Sequence, residues 1–501
     1  MFVIVYSAAV IGLQATLVTV EVDISPGWPG FQIVGLPDAA IQEAKERIRV
    51  AWKNSGFAWP HGKGMTVNLA PASVRKEGAW FDLPMAIGMC AAEFGLDGER
   101  LSKTLIVGEL ALDGTVRAGV GILPVVRFAR EQGYSEVLVP IDNQVEASLV
   151  SGVKIIPVAS LKAALAHLKK VQPIAPTVVT EFFADQSRVA IDFSDVAGQE
   201  MAKRGLEIAA AGGHNVLFSG PPGSGKTMLA RALPGILPPL TTEELLEVGT
   251  IYSVSGQIVP GQALTLNRPF RSPHHSASAA ALVGGGQHPR PGEISLAHCG
   301  VLFLDELPEF PQTALEALRQ PLEDGHVTIA RAHYTLDFPA RVLLVASQNP
   351  CPCGYATDPE RACVCSPVAV ANYRKKISGP LLDRIDMHIQ VPRLDYEKIQ
   401  STQIRESSAL IRERVVGAHQ TQQQRQHTQN SGLSIRAIRA WRPFKPEVEA
   451  MLEKAHHKFQ LTGRGLVRVL RLARTIADLA KSNTIESVHV SEALLFRCGT
   501  V

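Results

Sequence analysis

The stretch NVLFSGPPGSGKTMLARAL (215–233) constrains this chain more than any other. Apolar VLF reads as a buried strand, and MLARAL starts a helix. Between them Gly220, Pro221, Pro222, Gly223, Ser224, Gly225, Lys226 and Thr227 fit the pattern GxxxxGK[ST]. Such a loop wraps a phosphate chain, because glycines admit close backbone approach and the loop amides point inward. The helix N-terminus adds a favourable dipole. Lys226 places a point charge on the β/γ-phosphates, and the Thr227 hydroxyl ligates Mg2+. The reading is an ATP site with Mg2+ on an α/β fold, a parallel sheet with flanking helices.

Further pieces complete the site. GVLFLDELPEF (300–310) reads as a parallel strand ending in Asp305, which holds the Mg2+ shell, and Glu306, which polarises the attacking water. The plainer reading is two acidic residues capping a helix near Pro308. RVLLVASQNP (341–350) is a third apolar strand; in the AAA+ class of ring-forming ATPases the strand between the two phosphate-site motifs ends in an Asn that orients the water, here Asn349. The alternative is a loop Asn satisfying local backbone. SGPLLDRIDMHIQVP (378–392) offers Arg384 as an arginine finger given in trans, against a surface salt bridge to Asp383 or Asp386. Arg464, Arg468, Arg471 and Arg474 align as one stripe of a helix. Arg464 is assigned to the γ-phosphate and the others to neighbours or DNA; a solvated stripe is the alternative.

The 501 residues suffice for two to four domains, and 46% hydrophobic with 19% charged residues fits a globular chain with a sizeable core. No run of 18 apolar residues suggests a membrane span, and the apolar start reads as a strand pair, not a signal peptide, so a cytoplasmic protein is expected. Residues 1–172 alternate short strands and helices; 173–190 read as a linker; 191–393 carry the nucleotide motifs; 394–432 form a connector whose end, 417–432, reads as a polar loop; 433–501 read as a helical lid. Net charge is only +3, yet 401–501 hold 16 Lys+Arg against 8 Asp+Glu, an excess of +8 that fits either phosphates or a solvated helical surface. Cys351, Cys353, Cys363 and Cys365 crowd into 15 residues. Four thiolates can hold structural Zn2+, although the C-x-C spacing is tighter than usual and four unligated thiols remain the alternative.

Longer strings point past the class. RPFRSPHH (268–275), ALVGGG (281–286), PRPGEISLAHCGVLFLDELPEF (289–310), NPCPCGY (349–355), SGPLLDRID (378–386) and, near the start, VGLPDAAIQEAKERIR (34–49) and NLAP (68–71) closely resemble the YifB/ComM family of magnesium-chelatase-like AAA+ proteins. The resemblance spans essentially the whole chain. It implies an N-terminal α+β Lon-protease-like domain, an AAA+ module, a helical lid and a homohexameric ring. It implies a DNA branch-migration helicase serving homologous recombination of incoming DNA in natural transformation, with recombination proteins as possible partners. It places an insert around 250–290 and a hairpin around 325–340, both projecting into a central pore. Arg268, Arg271, His274 and His275 are then candidates for nucleic acid, or alternatively for bracing a neighbour's nucleotide site.

The N-terminal domain departs from the Lon pattern. No Ser occurs from Lys76 to Leu101, and Leu123 stands where the catalytic Lys is expected. A Ser–Lys dyad needs both groups, so no peptidase activity is expected. The runner-up function is a protein-remodelling ATPase of the magnesium-chelatase type without DNA. The partner of such a subunit carries DxSxS, which neither Asp23-Ile-Ser25 nor Asp192-Phe-Ser194 completes.

Overall fold

Apolar alternation in the first 26 residues folds as a hairpin. In the computed structural model β1 (Phe2–Ile11) and β2 (Gln14–Pro26) pair antiparallel from Phe2↔Asp23 to Ile11↔Gln14. The two-residue turn has Gly12 at φ +62°, the backbone a tight primed turn requires at its first central position. The structure describes the chain except residues 28–29, 36–37, 75, 77, 179–190, 260–266, 287–288, 331–334, 359, 398–404, 442 and 499–501. Contacts divide it into two units: 1–183 with 242–266, and 184–241 with 267–501.

In the first unit the hairpin joins β3 (Gly30–Val34), β4 (Lys63–Ala70), β5 (Thr104–Ile106), β6 (Glu136–Pro140) and β7 (Lys154–Val158) in one mixed sheet, ordered β3-β4-β2-β1-β5-β6-β7. Helices Ala39–Asn54 and Asp82–Phe94 bury Ile41, Ile48, Trp52, Leu83 and Met85 in its core. The linker expected from 173 begins fastened to this unit. Ile174 N donates to His167 Nδ1 (2.9 Å) and Thr177 N to Ile155 O (2.8 Å). Residues 179–190 of that linker lie outside the described residues.

The helix Thr242–Ser255, which follows the phosphate-binding motif in sequence, also belongs to this unit. It packs on helix Ile122–Glu131: Leu123 N donates to Ser253 Oγ (3.3 Å) and Arg127 to Thr250 Oγ1 (3.5 Å). Leu123 is fully buried. The insert expected at 250–290 is thus divided, with 256–259 beside this helix, 260–266 outside the described residues, and 267–290 in the second unit.

The second unit holds a five-stranded all-parallel sheet made of β8 (Val216–Ser219), β9 (Phe270–Arg271), β10 (Val301–Leu304), β13 (Leu343–Gln348) and β14 (Met387–Gln390), ordered β9-β10-β13-β8-β14. Its central strands are apolar runs because helices cover both faces. The expected hairpin is present as β11 (His326–Ala330) and β12 (Thr335–Pro339), paired antiparallel, with its tip 331–334 outside the described residues.

The polar stretch read as a loop is corrected. Residues 408–426 form one helix, Ser408–Gln426. Gln and Arg are good helix formers, and a narrow stripe of Ile411, Val415, Ala418 and Gln422 is buried against helix Glu200–Gly212. The buried stripe contains a glutamine, which hid it from hydrophobic periodicity. Gln422 Nε2 donates to Ala211 O (3.0 Å), and Asn430 N donates to Gln422 Oε1 (3.0 Å). Fully buried Asn430 donates in turn to Thr475 Oγ1 (3.0 Å) and Asp478 Oδ2 (2.9 Å), joining this helix to Gly463–Leu479. Helices Pro446–Phe459 and Ser487–Cys498 complete the expected lid.

Asn430→Ala leaves Asp478, Thr475 and Arg425 each short of a buried partner. It should cost about 1–3 kcal/mol in denaturant unfolding, whereas exposed Gln423→Ala should change little.

Candidate nucleotide site

The register of the parallel sheet assembles the site. Ser219 pairs with Gln348, so Gly220 and Asn349 leave the sheet side by side, and Leu304 pairs with Ala346, so Asp305 leaves it beside Ser347, which is still within β13. Asn349 follows β13, the strand between those of the two phosphate-site motifs, as the sequence reading required.

Glycine is obligatory in the loop for different reasons. Gly223 and Gly225 lie at φ +76° and +94°. A Cβ on Gly220 would stand 2.1 Å from Val391 O. Ser224 Oγ is buried without a partner among the described residues. Lys226 begins helix Lys226–Ala232 and is itself buried. Its Nζ donates to Gly220 O (2.7 Å), Pro221 O (2.9 Å) and Asn349 Oδ1 (3.2 Å). Burial pulls this ammonium below the usual lysine range, against the opposing charges of Asp305 and Glu306. Thr227 Oγ1 donates to Asp305 Oδ2 (3.0 Å), and Ser347 Oγ donates to Asp305 Oδ1. Two oxygen donors converging in this way suit a hard cation, and Thr227 with Asp305 fit Mg2+.

Glu306 N donates to the same Ser347 Oγ (3.2 Å), and Glu306 lies at φ +54°, strained for a non-glycine residue. Neither Ser347 nor Gln199 was singled out from sequence. Gln199 Nε2 donates to Ser224 O (3.2 Å) and Pro392 O (2.7 Å), tying the loop to the end of β14. The strings SQN and AGQE offered no pattern that names these partners; only strand register and loop closure do.

Three families match the chain: "Magnesium chelatase, subunit ChlI" over 192–399, "Subunit ChlI of Mg-chelatase" over 20–143, and "Magnesium chelatase, subunit ChlI C-terminal" over 405–497. The chain is 44% identical over 501 residues to competence protein ComM of Haemophilus influenzae, covering 99% of this chain and 97% of that one. It is 42% identical over 496 residues to YifB of Escherichia coli, covering 99% and 96%. The chain belongs to the YifB/ComM family of magnesium-chelatase-like AAA+ ATPases. A 28% identity over 149 residues to Lon protease 2 of Bacillus subtilis, 28% of this chain and 27% of that one, carries the Lon likeness of the N-terminal region. Membership of this AAA+ family implies ATP and Mg2+.

The remaining candidates of this YifB/ComM chain are distributed as follows. Arg384 does not reach its own nucleotide loop. It donates to Arg319 O (3.0 Å) and Pro380 O (2.8 Å) and pairs with Glu323, not with Asp383 or Asp386. Of the arginine stripe only Arg464 is exposed, in the first turn of Gly463–Leu479. The others turn inward, which corrects their assignment to neighbours or DNA. Arg468 pairs with Asp386 (3.4 Å), Arg471 donates to Leu433 O (3.0 Å), and Arg474 pairs with Asp478 (2.8 Å). Burial pushes the Asp386 carboxyl up, but His214, 3.4 Å away, and the charges of Arg468 and Arg471 hold it below the usual carboxylate range. Arg268 donates to the carbonyls of Pro238, Pro239 and Cys299, and Arg271 forms a two-bond pair with Glu293 (2.7 and 2.8 Å). Both guanidiniums thus brace their own chain. His274 is exposed, and His275 Nδ1 lies 3.5 Å from Glu306 Oε2.

The four cysteines come together. Sγ of Cys351 lies 3.3 Å from Cys353 and 3.6 Å from Cys363, Cys353 to Cys363 is 3.6 Å, and all four sulfurs including Cys365 lie within 4.8 Å of one another. Zinc–sulfur bonds of about 2.3 Å set a tetrahedral edge of about 3.8 Å. The knuckle also abuts the phosphate loop: a Cβ on Gly354, at φ +87°, would stand 2.6 Å from Pro222 Cδ.

Gly354→Ala should therefore push on Pro222 and weaken binding of a fluorescent ATP analogue by about tenfold or more, at 1.4 kcal/mol per decade. Lys226→Ala should abolish that binding. Glu306→Gln should bind the nucleotide and barely hydrolyse it.

Proposed function

We propose that this protein is an ATP-driven ring motor that moves DNA, working as a branch-migration helicase on recombination intermediates of incoming DNA. The convergence of Lys226, Thr227, Asp305 and Asn349 at one edge of the sheet supports the motor half of the reading. The 44% full-length identity to a protein named for competence supports the DNA half.

Hydrolysis needs a base, a charge clamp and an ordered water. Glu306 takes the proton of the attacking water; its oxygen bonds to the γ-phosphorus, and the bridging bond breaks with its electron pair leaving on ADP. Lys226 neutralises the phosphates, and Asn349 orients the water. Mg2+ held by Thr227 and Asp305 supplies further charge neutralisation. Arg384 enters the site of the adjacent subunit in a closed, hexameric ring. Arg464 closes over the γ-phosphate from the lid. Cys351, Cys353, Cys363 and Cys365 hold a structural Zn2+. The N-terminal unit, without the dyad, has no peptidase role and serves as a collar.

ATP-dependent strand exchange on a synthetic four-way junction tests the reading. It should require intact Lys226, and duplex or single-stranded DNA should raise ATP turnover. Normal turnover with no DNA stimulation and no junction processing would instead favour a remodelling ATPase without DNA. Arg384→Ala should leave nucleotide binding intact and cut turnover by about 10³-fold or more. Purified protein should carry close to one zinc per chain, and metal-free protein with four freely titrating thiols would remove the knuckle assignment.

A further inference from the structure

The string RPFRSPHH enters the sheet as its edge strand. Phe270 pairs with Val301 and Arg271 with Leu302, an offset of 31 residues. Beyond Arg271 the strand ends, and the same offset carried over Ser272, Pro273 and His274 matches His275 with Glu306. The side chains follow: His275 Nδ1 lies 3.5 Å from Glu306 Oε2.

The approach is held from several sides. A Cβ on Gly300 would stand 2.1 Å from Pro269 O, so only glycine lets the edge strand come this close, and Val301 N donates to that carbonyl (2.7 Å). The Arg271–Glu293 pair pins the start of the segment. Ser276 N donates to His274 Nδ1 (3.3 Å), fixing that ring, and the His274 ring lies 4.1 Å from the His275 ring, tilted 34°. Glu306 has a fixed backbone through Ser347, but its side chain is 51% exposed and rotates freely about three bonds unless something selects a rotamer.

We propose that His275 is the positioning residue of the water-activating carboxylate: its Nδ1–H donates to Glu306 and selects the rotamer from which Glu306 takes the water proton. This rests on the reading of Glu306 as the base. His275 then acts through Glu306 and not on the nucleotide, and the segment that carries it links the state of the 267–290 region to hydrolysis.

Three variants of the full chain separate donor from ring. Asn places Nδ2 on Cγ, where histidine has Nδ1, so His275→Asn keeps the donor. His275→Phe keeps the ring and loses the donor. His275→Ala loses both. The expected result is that Ala and Phe lower kcat by about tenfold or more while ATP-analogue affinity stays within about twofold, and Asn restores most of the rate. A Phe variant as active as the unaltered protein, or an Asn variant as slow as Ala, would show that the ring only packs and would overturn the proposal. So would a loss of single-stranded DNA affinity in all three variants with turnover unchanged. Glu306→Gln run in parallel distinguishes the two levels: if it hydrolyses normally, the reading of the site fails, whereas normal turnover only in the His275 variants ends this inference alone.

Discussion

Alignment of parallel strands is the constraint on which the rest depends. In a parallel sheet all strands end at the same edge, so one register fixes several functional contacts together. Ser219↔Gln348 brings Gly220 beside Asn349, Leu304↔Ala346 brings Asp305 beside Ser347, and Arg271↔Leu302 brings His275 beside Glu306. A shift of one residue in any strand would reverse its faces and break these pairs at once. The apolar strands VLFS, VLFL and LLVASQ, buried on both faces, secure the register.

Around this edge the chain adds supports that are not nucleotide ligands. Gln199 ties the phosphate loop to the end of β14, and the cysteine knuckle presses Gly354 against Pro222. The knuckle starts two residues after Asn349, so the four clustered cysteines adjoin the strand end that carries it. Such supports matter because a catalytic constellation loses rate when its members move by fractions of an ångström. The lid is joined to the nucleotide unit by a buried polar network, in which His214 Nε2 meets Thr475 Oγ1 at 2.7 Å and Asn430 reaches the same hydroxyl.

Much of the fold and of the site was legible in the chain itself. Glycine spacing, the two acidic residues after an apolar strand and the Asn after another carry their own chemistry, because phosphate binding demands those residue types at strand ends. What was not legible has a common cause. The stripe Ile411, Val415, Ala418, Gln422 was hidden because a buried glutamine satisfies its amide on Ala211 O, which no hydrophobic period reports. The arginine stripe of Gly463–Leu479 has helical spacing, yet three members turn inward: Arg468 and Arg471 to Asp386 and Leu433, far away in sequence, and Arg474 to Asp478 one turn along the same helix.

The sequence by itself determined the family, the phosphate loop, the acidic pair and the cysteine cluster, since each depends on residue identity at short spacing. Tertiary structure alone decided which polar groups meet. It placed helix Thr242–Ser255 on the first unit, turned Arg268 and Arg271 to braces of their own chain, and set His275 against Glu306. The physical reason is that a hydrogen bond or ion pair needs atoms within about 3–4 Å, and for residues tens of positions apart only strand register and helix packing fix that distance.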